Sequence, residues 1–343
     1  MPYDGVVEDV RRAVALREPG GLPVFACSEE FDVKWHGRYT YEEVCQDGAK
    51  MAEVWGAAID AFHYDWAWLQ VDDCFEFEPL GVGTRGEGNI LRATRDYLPA
   101  TRETLDGLSV PDPNRDGRMP EKLRAIRLLR ERYGDRVLIE GSCAAPYSSV
   151  GLLFGLEETM MLLATDPGLL ADACDFFVDV QSRYVAAQIE AGAHAIWLGD
   201  CNAFSGMISL EQYRRFAAPA CRRLIEKAHE HGAIVHLHNS EVSVPHLLAE
   251  AELGPDVINC GPGADMAEVR KALASRVCVS GNLDPIDVLL RATPQQVAAE
   301  TERLLRICRG PGYLFCTGEM NPRDVPPENM RAMVGAVRRC GGA

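Results

Sequence analysis

Eight short apolar runs punctuate the chain, and each stops abruptly at polar or small residues. They lie at residues 23–27, 66–72, 137–141, 195–200, 233–238, 257–260, 277–282 and 313–316. Their lengths and their β-branched and aromatic content suit buried strands. Between them the apolar spacing widens to a helical period. Helices are expected over 41–61, 121–133, 169–191, 210–231, 242–251, 265–273 and 293–307. Gly232 suits a C-cap, and Pro326-Pro327-Glu328 opens a final helix, because proline is tolerated in a first turn.

Eight strands alternating with helices predict an α/β fold, a single (β/α)8 barrel over residues 1–343 with an N-terminal helix in residues 1–20. A doubly wound open sheet would carry GxGxxG after its first strand. The only stretch of that spacing, Gly81-Val82-Gly83-Thr84-Arg85-Gly86, follows the acidic Glu76 and Glu78 rather than a strand-to-helix turn. Residues 80–116 form a long Gly/Arg/Pro-rich connection, expected to cover the barrel mouth.

Composition narrows the function classes. Of 343 residues, 47% are hydrophobic and 25% charged, which excludes a disordered chain. The net charge of −16 repels phosphate backbones and anionic lipid, so neither nucleic acid nor a membrane is an expected partner. No stretch approaches the apolar length of a membrane span, and the first residues lack the pattern of a secretory signal. Twelve cysteines at irregular spacing, with no CxxC pair, read as reduced thiols and predict a cytoplasmic protein.

Barrel active sites lie at the carboxyl ends of the strands. Those ends collect Cys27, Asp72, Asp73, Cys143, Asp200, Cys201, His236, His238, Cys260, Asn282, Cys316 and Glu319. His236 and His238 are two apart on one strand, so they share a face, opposite Val235 and Leu237. Two core histidines, each satisfied by a hydrogen bond, are one reading of the pair. The other is a metal pair that needs a third ligand, since catalytic zinc takes three protein ligands. Cys316, Glu319, Asp200, Cys201 and Glu241 are the candidates. Asp72 and Asp73 are adjacent, so at most one looks into the mouth.

The second half resembles the uroporphyrinogen decarboxylase superfamily. The resemblance is carried by Ala191-Gly192-Ala193-His194-Ala195-Ile196-Trp197-Leu198-Gly199-Asp200, Ser280-Gly281-Asn282-Leu283-Asp284-Pro285, Thr293-Pro294 and Pro326-Pro327-Glu328-Asn329 with Arg331-Ala332-Met333-Val334. It extends over roughly residues 20–338 and implies a (β/α)8 barrel. The superfamily holds a metal-free porphyrinogen decarboxylase and zinc methyltransferases that exchange methyl groups between a corrinoid protein and a thiol or similar acceptor. The latter carry His-x-Cys on strand five and a Cys near the end of strand eight. Here those places hold His236-Leu237-His238 and Glu319, with Cys316 three residues earlier.

The resemblance therefore implies a metal-dependent methyltransferase with zinc on His236, His238 and Glu319 or Cys316. Glu319 is preferred, from its nine-residue spacing to Glu328. Methylcobamide would arrive on a partner corrinoid protein, and a small molecule would be methyl acceptor or donor. Asp72 and Asp200 are the expected catalytic acids and Asn282 a cofactor contact. Asp72 matches the decarboxylase aspartate by its distance to Gly81. Two alternatives stand beside this reading: a decarboxylase-like lyase acting on a smaller substrate without metal, and a non-enzymatic barrel that binds a corrinoid or tetrapyrrole. Where the decarboxylase places arginines after strand one, this chain has Cys27-Ser28-Glu29-Glu30-Phe31-Asp32.

Overall fold

A computed structural model describes residues 3–341; residues 1–2 and 342–343 of the expected span lie outside the described residues. The strands are β1 (Trp66–Trp68), β2 (Gly83–Glu87), β3 (Ile90–Asp96), β4 (Leu138–Ala144), β5 (Ala195–Gly199), β6 (Ile234–His238), β7 (Val257–Asn259), β8 (Cys278–Ser280) and β9 (Tyr313–Leu314). Seven of them form one parallel sheet in the order β1-β4-β5-β6-β7-β8-β9. Helices separate them in sequence, as parallel neighbours require.

The first apolar run closes the ring. Val24 pairs in parallel with Phe315, whose carbonyl accepts the Phe25 N–H at 3.0 Å, and Asp65 N–H donates to Val24 O at 3.0 Å. This run is a bridge rather than the strand expected over 23–27. Side chains take its ladder donors: the Asp65 carboxylate accepts Val24 N–H at 2.8 Å, and the Thr317 hydroxyl accepts Cys27 N–H at 3.3 Å.

The alternation of strand residues divides two cores. Phe25, Trp66, Trp68, Leu138, Ala195, Trp197, Val257, Cys278, Leu314 and Cys316 fill the barrel interior, while Val235, Leu237, Ile196 and Ile258 pack outward beneath the helices. Val7, Val10 and Ala13 of helix Val6–Val14 join the interior cluster, so the N-terminal helix plugs one end of the barrel.

Three local departures have identifiable causes. The helix expected over 41–61 is two helices, Tyr41–Cys45 and Gly48–Phe62, because the Asp47 side chain caps the second by accepting Ala49 and Lys50 N–H. The helix expected over 210–231 widens at Tyr213–Ala217, where Pro219 cannot donate to the Arg215 carbonyl. The long connection contains an antiparallel hairpin, β2–β3. Its tip is pinned at Asn89, whose side chain accepts Tyr41 N–H at 3.1 Å and whose carbonyl accepts from Arg323 at 2.6 Å. The hairpin therefore stands at the rim of the mouth. Among the described residues, no helix is long and apolar enough to cross a membrane.

Candidate active site at the carboxyl ends of the strands

His236 and His238 both point into the barrel interior, and each is about 2% exposed. Their surroundings differ. His236 lies deeper. Its Nε2 is 2.8 Å from Ser280 Oγ and its Nδ1 is 3.4 Å from Glu140 Oε1. Ser280 Oγ also accepts Asn259 Nδ2 at 3.2 Å. Both nitrogens are engaged inside the barrel.

His238 ends β6 and packs on Trp197, ring centres 4.9 Å apart. Its Nδ1 donates to Asn259 Oδ1 at 3.0 Å. The Asn259 amide is oriented by its donations to Ser280 Oγ and, at 3.5 Å, to Thr317 O. His238 Nε2 therefore faces the mouth, 3.4 Å from Glu319 Oε2. A single polar chain thus runs Glu140–His236–Ser280–Asn259–His238–Glu319 through the interior.

Burial disfavours a charged His238, but the Glu319 carboxylate and the Cys201 thiol outweigh it and hold its pKa well above the ordinary value. Burial likewise opposes ionisation of Glu319, yet His238, the Ser240 hydroxyl and Met320 N–H hold its pKa down to about 2. Burial raises the pKa of Cys201, opposed by the nearby His238.

Cys201 and Asp73 are solvent-accessible, unlike most of the strand-end residues around them. Both are nevertheless hemmed in by protein. Burial, with the charges of Asp72 and Glu76, pushes Asp73 up to about 6.

The remaining candidates are placed otherwise. The Asp72 side chain has no exposure and does not look into the mouth; both oxygens are bound by Arg118 at 2.9 Å, and Oδ1 accepts Cys74 N–H. Asp200 is buried, takes the Ser148 hydroxyl at 2.8 Å, and is raised to about 6 by burial. Asn282 donates to Gly261 O and Ala264 O, both at 2.9 Å, and so ties the loops after β7 and β8 together. Cys316 is fully buried, its sulfur 3.8 Å from that of Cys27.

Of the expected metal ligands, His238 and Glu319 are brought together, while His236 and Cys316 are turned to other partners. Among the described residues, no three His, Cys, Asp or Glu side chains converge at metal-binding spacing. As a donor set, one imidazole, one carboxylate and one thiol fit the chemistry of zinc. Asn259 does not stand out in the sequence; its one signal is its place two residues after the inward Val257.

A family model described as uroporphyrinogen decarboxylase (URO-D) matches residues 12–340. The chain is 30% identical over 312 residues to the uroporphyrinogen decarboxylase of Syntrophotalea carbinolica, covering 88% of this chain and 87% of that protein. It is 28% identical over 317 residues to that of Geobacter metallireducens, with coverage of 88% and 87%. Among solved structures, a methyltransferase from Methanosarcina mazei matches with a TM-score of 0.88 at 22% identity, over 97% of this chain and 98% of that one. A B12-independent methionine synthase from a Shewanella species matches with a TM-score of 0.52 at 9% identity, over 84% and 86%. At these identities the structural likeness concerns the fold.

Proposed function

Because the chain belongs to the uroporphyrinogen decarboxylase family, we propose that it is a metal-dependent methyltransferase of that family, moving a methyl group between a corrinoid protein and a thiol or similar small acceptor. The observation that carries this reading is the pairing of His238 with Glu319, 3.4 Å apart at the strand ends. His238 would offer Nε2 to zinc, since Asn259 holds Nδ1. Glu319 would offer a carboxylate and Cys201 a sulfur. Zinc bound there would lower the pKa of a coordinated thiol enough to keep it as thiolate at neutral pH. The methylcobamide would come on a partner protein docked at the mouth. Twelve free cysteines suit a reducing compartment, here the cytoplasm.

The decarboxylases among its relatives favour a second reading, a metal-free lyase. Two observations weigh against it. Asp72 is locked by Arg118, and helix Glu29–His36 carries no arginine where a polycarboxylate would need cations.

Elemental analysis and a methylcobalamin–thiol assay test the proposal. We expect about one zinc per chain, lowered by His238→Ala and by Glu319→Gln but not by Cys316→Ser, and thiol-dependent loss of the methylcobalamin spectrum. Unchanged metal content in both ligand variants, or full turnover after complete chelation, would refute it. Decarboxylation of a porphyrinogen would establish the lyase instead.

A further inference from the structure

We propose that the cavity bordering Glu319 is a ligand subsite, and that Asn321 reads there the primary carboxamide of a neutral, largely apolar molecule. The cavity measures about 590 Å³, within the range of small-molecule sites. Its apolar wall is made by Pro262, Pro285, Ile286, Met320 and Pro322, from the loops that follow β7, β8 and β9. Ile286 is exposed although it is a large aliphatic side chain.

Asn321 lines the same cavity and is 2% exposed. Its backbone N–H donates to Cys27 O at 2.6 Å, which fixes the loop. Its side-chain Nδ2 and Oδ1 are both buried and without a protein partner among the described residues. Buried amides are nearly always paired, so an open donor and an open acceptor on one wall residue call for a cause. The charged side chains of the wall differ in this respect. Glu30 is held by Arg323 at 2.9 Å, and Asp287 and Arg291 hold each other at 2.7 Å. Asp284 accepts Ile286 and Asp287 N–H at 2.8 Å, and Glu319 is held by His238 and Ser240.

The open polar atoms of the wall are thus a neutral donor and a neutral acceptor on one planar group. A primary carboxamide answers both: its N–H donates to Oδ1 while its oxygen accepts from Nδ2. A ketone supplies only the acceptor. A carboxylate supplies only acceptors and would enter beside Glu30, Asp284 and Glu319.

The test uses three probes of one shape, benzamide, acetophenone and benzoate, titrated into the protein labelled with ¹³C-methyl methionine. Met320 lies on the cavity wall and reports binding there; its signal is assigned by its loss in Met320→Leu. Dissociation constants on the order of 1 mM are expected for such small probes. Benzamide should bind about tenfold more tightly than acetophenone or benzoate, because only benzamide satisfies both amide atoms. Asn321→Leu, which keeps the bulk, and Asn321→Ala should reduce the ratio to about twofold or less, with the other methionine methyls unmoved. Benzamide no tighter than acetophenone, a preference that survives both substitutions, or no saturable shift at Met320 with any probe overturns the proposal. The last result would mean that the cavity takes only water. Were neither variant to fold, the order of the three probes at Met320 in the unmodified protein would decide. No methyl donor or thiol is present, so the result is independent of the methyltransferase reading.

Discussion

Arg118 is expected to hold the long connection to the barrel, and Asp72 to serve that anchor rather than the chemistry. The guanidinium bonds Asp72 through Nη1 and Nη2 at 2.9 Å each, and Glu78 through Nε at 2.8 Å and Nη2 at 3.0 Å. Nη1 also donates to Cys45 O at 2.9 Å, so all five N–H groups are used. Its cationic plane lies 4.0 Å over the Phe75 ring. Side-chain exposure is 9% for Arg118, 0% for Asp72 and 17% for Glu78, so water screens this cluster little. Arg118→Met would leave Asp72 charged, buried and without its counter-ion. Breaking such a pair costs roughly 3–5 kcal/mol. Asp72→Asn removes the charge as well as the pairing and should cost less, about 2 kcal/mol. Combining Arg118→Met with Asp72→Leu should recover a large part of the loss, because no uncompensated charge remains. Urea unfolding followed by the fluorescence of the five tryptophans measures all three variants. A cost below about 1 kcal/mol for Arg118→Met would refute the argument. So would an Asp72→Asn protein of native stability that has lost turnover, which would return Asp72 to the chemistry.

Glu250 is buried, accepts only from Asn239, and is raised by burial to about 8. The folded state thus keeps a proton that the unfolded state releases above its ordinary carboxylate pKa, so stability should fall as pH rises from about 4.5 to about 8. Glu250→Gln should flatten that decline and stabilise the protein at pH above about 8; urea midpoints across the range that fall just as steeply in the variant would exclude this cause. Asn259→Ala should weaken zinc binding about 10–100-fold in a chelator competition, because nothing then fixes the His238 ring; unchanged affinity would exclude that role. In Gly261→Ala the new methyl would lie 2.3 Å from Ser240 O, displacing the loop whose Ser240 hydroxyl bonds Glu319. A cost of roughly 1–3 kcal/mol in urea unfolding is expected, and native stability would mean the loop yields freely.

What the sequence determined by itself was the layer structure. Short apolar runs alternating with helical periods specify strands, helices and the facing of each side chain relative to its own backbone. The barrel, the shared face of His236 and His238 and the thiol-rich strand ends all follow from that. The sequence could not say which partners those side chains meet. His236 finds Ser280 across 44 residues and His238 finds Asn259 across 21, and these contacts separate an internally satisfied histidine from one facing the mouth. Nor could it separate Asp72 from Asp73, whose roles diverge because Arg118 arrives beside only one of them. The run at 23–27 is equally apolar in sequence, yet barrel closure supplies side-chain acceptors in place of a full ladder. Local periodicity encodes orientation. Partnership depends on distances between remote segments, and those are set only when the ring of strands closes.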